Sequence, residues 1–193
     1  SYFMDRSKYD IINSAIKGDE NSINKLIKSE QTNIYSMLLY LKKDTEDIND
    51  IAQNILIKLY SNIKKLKNPF SYKTWLNHII LNSYYDYLRK IKSKKEINRF
   101  SYRNEDDNNI FDIEDTKCDL EDKILMNEMD RVIKYSINNL PLHYKTPLTL
   151  REIQGLSYKD ISDITKTSIG TVKSRIARAR DIVQIEIEKY QKS

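Results

Sequence analysis

Only three glycines and three prolines punctuate this chain of 193 residues, and that scarcity limits what it can fold into. Hairpins, glycine-rich phosphate loops and tightly turned sheets need residues that accept positive φ or fix a turn. With 32% charged and 39% hydrophobic residues, long amphipathic helices are predicted instead. The modest apolar content suits two small cores better than one large one. A net charge of +5 suits a polyanionic partner but does not separate DNA, RNA and a membrane surface.

The charge is unevenly placed. Arg89, Lys90, Lys92, Lys94, Lys95, Arg99 and Arg103 make residues 89–103 basic, whereas 105–122 is acidic with only Lys117 opposing. Blocks of opposite sign indicate neighbouring segments with different tasks. The lone Cys118 excludes an internal disulfide framework and any multi-cysteine metal site. No apolar run reaches the length of a membrane span. Ser1-Tyr2-Phe3-Met4 lacks the basic start and apolar stretch of a signal peptide. A reducing, cytoplasmic location without membrane insertion is expected.

Apolar residues recur at three- and four-residue steps in several stretches, the signature of helices with one buried face. A short helix is predicted over 10–16, broken by Gly18. A second carries Ile23, Leu26, Ile34, Met37, Leu38 and Leu41. The clearest first-half stripe is Ile48, Ile51, Ala52, Ile55, Leu56, Leu59 and Ile63; after Pro69 another runs from Trp75 and Leu76 through Ile79, Ile80 and Ser83 to Leu88. From 96 to about 117 the periodicity stops and Asn, Asp, Glu and Ser dominate, a composition that cannot offset the entropy of ordering. Leu120, Ile124, Leu125, Met129, Val132, Ile133 and Ile137 restart a stripe, and Leu140-Pro141 stops it and starts the next helix. The expectation is an all-α protein: two small helical domains, 5–95 and 119–193, joined by an acidic flexible linker at 96–118.

Residues 155–180, GLSYKDISDITKTSIGTVKSRIARAR, have helix-turn-helix spacing. Tyr158, Ile161 and Ile164 form one apolar face, 165–168 a polar turn with Thr167 or Ser168 as cap, and Val172, Ile176, Ala179 and Val183 the buried face of a second helix. At a hundred degrees per residue Thr171, Ser174, Arg175 and Arg178 gather roughly opposite, flanked by Lys173 and Arg180. Such a helix can lie in the major groove, with short polar and Arg side chains at base edges and flanking cations on phosphates. A solvated basic face is the plainer alternative.

Leu140-Pro141, Gly155-Leu156-Ser157-Tyr158, Asp160-Ile161, Gly170-Thr171-Val172-Lys173-Ser174-Arg175 and Arg178-Ala179-Arg180 together closely resemble the last domain of the sigma-70 family of RNA polymerase subunits. The resemblance implies that this domain binds a minus-thirty-five promoter element through Thr171, Lys173, Ser174, Arg175 and Arg178, and docks on the flap of the polymerase beta subunit. A second resemblance lies in Asn49-Asp50-Ile51-Ala52-Gln53-Asn54-Ile55-Leu56-Ile57-Lys58-Leu59-Tyr60, similar to the family's polymerase-clamp helix, although the family usually has an acid where Asn49 stands. By themselves Asp50 and Gln53 read as solvated helix residues. The resemblance implies that Asp50, Gln53 and Asn54 meet a basic coiled coil of the beta-prime subunit.

Trp75-Leu76, Ile79, Asn82, Asp86 and Leu88-Arg89 continue the family pattern. The preceding loop mixes Lys64, Lys65, Lys67 and Lys73 with Phe70 and Tyr72. Cations can track a backbone while aromatic rings stack on unpaired bases. Trp75, followed by Leu76 and Ile79, fits the core better, which leaves Phe70 and Tyr72 as the stacking candidates. The resemblance implies a pocket at 68–73 for an extruded base of the minus-ten element, with Asn68, Phe70, Tyr72 and Lys73 around it. Asn82, Tyr85, Arg89 and Lys90 are then duplex or backbone contacts, and Tyr84 and Tyr87 structural.

Two domains with only a linker between them are similar to the extracytoplasmic-function (ECF) group. In that group the linker threads the polymerase, where the acids can mimic nucleic-acid charge; a solvated tether is the equal alternative. The function implied is promoter-specific transcription initiation together with core polymerase, with promoter DNA as second partner and an anti-sigma protein left open. A stand-alone helix-turn-helix regulator is the main competitor, and an RNA-binding helical protein a third reading. An enzyme is not expected. His78 and His143 are the only histidines, no H-E-x-x-H, nucleophile-elbow or Walker pattern occurs, and acidic neighbours would raise the Cys118 pKa. No cofactor or metal is implied.

Overall fold

The computed structural model describes residues 6–42, 47–101 and 128–192, with 94–101 as backbone only. Leu120, Ile124, Leu125, Cys118 and the linker from 102 onward lie outside the described residues. Among the described residues there are α-helices and two short 3-10 turns but no strand, as the scarcity of Gly and Pro predicts.

The amino-terminal half contains α1 (Arg6–Ile16), α2 (Glu20–Leu41), α3 (Ile48–Asn62) and α4 (Tyr72–Ser101). Gly18, at φ 94°, makes the turn between α1 and α2, a conformation that costs a residue with a Cβ. Asp19 then caps α2 by accepting from the Ser22 N–H at 2.9 Å; hydrogen bonding by the Ser22 side chain, together with that N–H, holds its carboxyl pKa below the usual value. The predicted stripes converge. Ile12, Ile23, Leu26, Ile34, Leu38, Ile48, Ile55, Leu59, Leu76 and Ile80 are all fully buried. The Tyr84 hydroxyl donates to the Leu41 carbonyl at 2.8 Å, and burial pushes its pKa up to about 12, with Tyr85 adding to the effect. Leu38→Ala removes most of a fully buried side chain, and it is expected to lower stability by about 2–5 kcal/mol, read as a shifted denaturant midpoint.

The carboxy-terminal half contains α5 (Glu128–Asn138), α6 (Leu142–Glu152), α7 (Tyr158–Thr165) and α8 (Ile169–Gln191). Ser157 and Asp160 form a reciprocal capping box at the start of α7, satisfying two otherwise orphaned donors. Lys166 ends α7 in a left-handed conformation, and Ser168 caps α8 by accepting from the Thr171 N–H. Val172, Ile176, Ala179 and Val183 face inward as their spacing predicts.

The two halves do not form separate cores; their buried residues make one continuous cluster. The physical reason lies at the end of α2. Met37-Leu38-Leu39-Tyr40-Leu41 is apolar all round, so one face packs on the amino-terminal core while Leu39 is buried on another side. Helices α5 and α6 pack against α2, and α8 packs against both α5 and α6. Lying between two layers, α6 is buried from Lys145 through Leu150.

The seam between the halves is closed by polar groups. Asn138 Nδ2 donates to the Leu39 carbonyl at 3.1 Å and Lys145 Nζ to the Leu41 carbonyl at 3.3 Å. The Tyr85 hydroxyl meets Thr146 Oγ1 at 3.1 Å, and Thr74 Oγ1 donates to Asp160 Oδ1 at 3.1 Å. Buried hydrogen bonds of this kind fix one docking geometry while adding little net stability each.

Candidate nucleic-acid interface

Helix α8 presents the divided surface that its spacing predicts. Lys173, Ser174 and Arg178 are exposed, Thr171 and Arg175 half-buried. The Thr171 hydroxyl lies 2.8 Å from Ser168 Oγ, and Ser174 Oγ donates to the Thr171 carbonyl at 3.0 Å. Those bonds tie down the first turn of the helix. Arg175 and Arg178 form no ion pair among the described residues, so their guanidinium forks remain available for bidentate contacts.

Two flanking cations are already engaged. Arg180 Nε donates to Glu152 Oε1 at 3.0 Å, and that bond raises its pKa. Lys173 Nζ lies 5.7 Å from the centre of the Tyr158 ring, over which the Arg151 guanidinium also sits at 4.7 Å. The sequence grouped Arg180 with the free flanking charges. Its pairing with a residue 28 positions away is invisible to helical periodicity.

On α3, Asp50, Gln53 and Asn54 are exposed while Ile51, Ile55 and Leu59 point inward. Ile57 shares their face at the i, i+3, i+4, i+7 spacing and is 63% exposed. Sequence reasoning passed over it, although its phase relative to Ile51 and Ile55 already marks it as an apolar residue turned outward. Asp50 and Asn54 also line a groove of about 590 Å³ between α3 and α4, with Asp47, Asp86 and Arg89 on its other walls. The Tyr87 hydroxyl donates to Asp47 Oδ2 at 3.0 Å, a structural role.

The loop between α3 and α4 divides its aromatic residues. Asn68 Oδ1 accepts from the Phe70 N–H at 3.0 Å and opens a 3-10 turn over Pro69–Ser71. Phe70 is thereby held 72% exposed, its ring centre 5.0 Å from that of Tyr9. Tyr72 does not join it. Grouped with Phe70 as a stacking candidate, Tyr72 is only 2% exposed, because it begins α4 and stands four and eight residues before the buried Leu76 and Ile80. Its hydroxyl faces the Glu30 carboxylate without reaching hydrogen-bond geometry. Burial, reinforced by that negative charge, pushes its pKa well above the ordinary phenol value.

Trp75 is half-buried against the core, and Lys73 is exposed. Asn82 is also exposed, with its Nδ2 2.9 Å from His78 Nδ1. Arg89 is exposed and paired with Asp86, an exposed pair that is cheap to exchange for a phosphate. Tyr85, expected near DNA, is instead engaged by Thr146.

Beside Phe70 opens a cavity of about 590 Å³ with walls from both halves: Lys73, Thr74 and Asn77 on one side, Gln154, Leu156 and Asp160 on the other. A continuous polar chain runs along it. Lys8 Nζ donates to Glu30 Oε1 at 2.8 Å, Asn33 Nδ2 to Glu30 Oε2 at 2.8 Å, Gln154 Nε2 to Asn33 Oδ1 at 2.9 Å, and Asn77 Nδ2 to Gln154 Oε1 at 3.4 Å. Asn77 Oδ1 is buried without a partner. Nothing in the sequence periodicity singled out Asn33, Asn77 or Gln154. Among the described residues no cluster of three His, Cys, Asp or Glu side chains could hold a metal ion, and no helix is long and apolar enough to cross a membrane.

Comparison with known proteins agrees with both halves. Residues 26–94 match the family model for sigma-70 region 2 and residues 131–182 that for sigma-70, region 4. The chain is 32% identical over 176 residues to the ECF RNA polymerase sigma-E factor of Haemophilus influenzae, covering 89% of this chain and 90% of that protein. It is 30% identical over 171 residues to the RNA polymerase sigma-H factor of Pseudomonas aeruginosa, covering 86% of each. Among solved structures, the sigma factor RpoE bound to the anti-sigma factor NepR from Bartonella quintana superposes with a TM-score of 0.63 at 22% identity, over 86% of this chain and 96% of that one. CnrH bound to the cytosolic domain of CnrY gives 0.61 at 15% identity, over 94% and 97%. A stand-alone regulator would need neither the clamp helix nor the region 2 match. The chain belongs to the sigma-70 family of RNA polymerase sigma factors, in its ECF group, and directs promoter-specific transcription initiation.

Proposed function

We propose that the sigma factor's tasks are divided among three surfaces, within domains at 5–95 and 119–193 joined by the linker at 96–118. Asp50, Gln53 and Asn54 hold the chain to the beta-prime subunit, with Ile57 as an apolar anchor at the centre of that contact. Asn68, Phe70 and Lys73, with Asn82 and Arg89 further along α4, capture the separated minus-ten strand; Tyr72 supports the loop from below. Thr171, Lys173, Ser174, Arg175 and Arg178 read the minus-thirty-five element, while the surrounding domain docks on the beta flap.

One observation carries this reading. The unpaired Arg175 and Arg178 stand on α8, Arg178 exposed and Arg175 half-buried, on a helix that buries Val172, Ile176, Ala179 and Val183, is capped by Ser168 and packs on α7. This is the arrangement a major-groove helix needs. The chain works in the cytoplasm, contributes no catalytic group of its own, and is restrained by an anti-sigma protein, the partner type bound to RpoE in its solved complex with NepR.

The test is run-off transcription with bacterial core polymerase on fragments of the source genome. New start sites preceded by two shared motifs are expected only when the protein is added; no new starts and no binding to core polymerase would overturn the reading. On a promoter found in this way, Phe70→Ala is expected to slow opening by about 5- to 100-fold. That is the loss of one stacked base, worth ~1–3 kcal/mol. Permanganate reactivity of unpaired thymines would measure it, and undiminished opening would remove Phe70 from the strand-capturing surface.

A further inference from the structure

We propose that Tyr9, on α1, is a positioning residue for strand capture: its ring backs that of Phe70 and holds it in the orientation that stacks on an unpaired base. This rests on the reading of the Phe70 loop as the strand-capturing surface, and it brings α1 into that surface.

Phe70 needs such a support. Its backbone is fixed by the Asn68 cap and the 3-10 turn over Pro69–Ser71, but its side chain is 72% exposed. A side chain with so little packed around it is free to exchange among staggered rotamers. A base can stack on the ring only where the ring faces the strand, so every other rotamer subtracts from capture. Tyr9 narrows the choice. Its ring centre lies 5.0 Å from that of Phe70 with the planes tilted by 37°, a separation at which aromatic pairs attract beyond the area they bury.

The contact also leaves the useful side of Phe70 open. Phe70 and Lys73 line the cavity of about 590 Å³, whereas Tyr9 is not one of its walls. The cavity side of the ring therefore remains for a base, with the Lys73 cation beside it for the strand's phosphates.

Tyr9 is itself held in place. It is half-buried and stands three and seven residues before Ile12 and Ile16, which shares the inward face of α1. Ile12 is fully buried and Ile16 packs against the core. Helix α1 packs on α2 and on the turn that carries Phe70. The preceding residue pins the helix: Lys8 Nζ donates at 2.8 Å to Glu30 on α2, a carboxylate only 2% exposed. Breaking that bond would strand a buried charge, so it opposes movement of α1 away from the loop.

The test uses holoenzyme assembled from the full chain and bacterial core polymerase, on a promoter mapped by run-off transcription. Permanganate reactivity of unpaired thymines reads opening, and fluorescence reads affinity for core. Tyr9→Leu is expected to slow opening about threefold to tenfold while core affinity stays within about twofold. Tyr9→Phe, which keeps the ring, is expected to open within about twofold of the unaltered protein. Combined with Phe70→Ala, Tyr9→Leu should add no further slowing, as a residue acting only through Phe70 requires. Equal slowing with and without the Phe70 ring would reveal a general weakening of α1 and overturn the proposal. So would undiminished opening by Tyr9→Leu, or a Tyr9→Phe variant as slow as Tyr9→Leu. If Phe70→Ala opens slowly and Tyr9→Leu does not, only the role of Tyr9 fails; if Phe70→Ala opens normally, the reading of the loop fails and Tyr9 with it.

Discussion

Replacing Arg175 and Arg178 together by Ala is expected to cut transcription from the protein's own promoters at least ~30-fold while leaving its affinity for core polymerase within about twofold. A bidentate Arg contact to a base edge discriminates by ~1–3 kcal/mol, so losing two costs roughly 2 kcal/mol or more. Arg178 is exposed and Arg175 half-buried beside the buried face of α8, and neither braces the fold through an ion pair among the described residues. The helix should remain intact. Lys at both positions separates the contributions, because it keeps phosphate attraction but loses the planar fork. Run-off yield against salt concentration, with core affinity measured by fluorescence, gives the answer. A parallel loss of polymerase binding would show that α8 does not work as a separate reading surface.

The second large effect is expected at Asp50. Asp50→Arg places a cation where the clamp helix is proposed to meet a basic coiled coil, and like charges across an interface cost several kcal/mol. Affinity for core polymerase should fall about 100-fold, and transcription from every promoter should fall with it, whatever the upstream sequence. The isolated protein should lose only a few degrees of thermal stability. Asp50 is exposed in the first turn of α3, where an acid complements the helix dipole by ~0.3–1 kcal/mol. Asp50→Asn should give a smaller drop of the same kind. Normal core binding by Asp50→Arg would remove this face from the polymerase contact.

These two variants fail differently, and that difference separates the sigma-factor surfaces. The α8 variant loses promoter choice and keeps its polymerase; the α3 variant loses both at once. Neither touches the seam between the halves, so neither should alter the radius of the free protein.

Much of this was legible in the chain because it depends on neighbours three or four residues apart. The stripes of α2, α3 and α4, the Ser168 cap and the two faces of α8 follow from helical periodicity and short polar side chains at helix starts. Tyr72 is legible too: although it adjoins the loop, its spacing from Leu76 and Ile80 assigns it to the α4 stripe and so to the core. The first turn of a helix already obeys the helix's phase.

Other features came only from the tertiary structure. Helical phase does not show that Arg180 meets Glu152, that Tyr85 meets Thr146, or that Gln154 enters the space between Asn33 and Asn77. Those partners lie 28, 61 and 121 positions apart, and each isolated side chain resembles an ordinary solvated one. Met37-Leu38-Leu39-Tyr40-Leu41 is apolar on every side, but nothing in that run names what covers it. The helices, their buried faces and the family resemblance can be read along the chain, because local hydrogen bonding and burial periodicity are written residue by residue. That the halves close on one another, through a shared apolar cluster with hydrogen bonds at its edges, depends on long-range pairing that no short segment encodes.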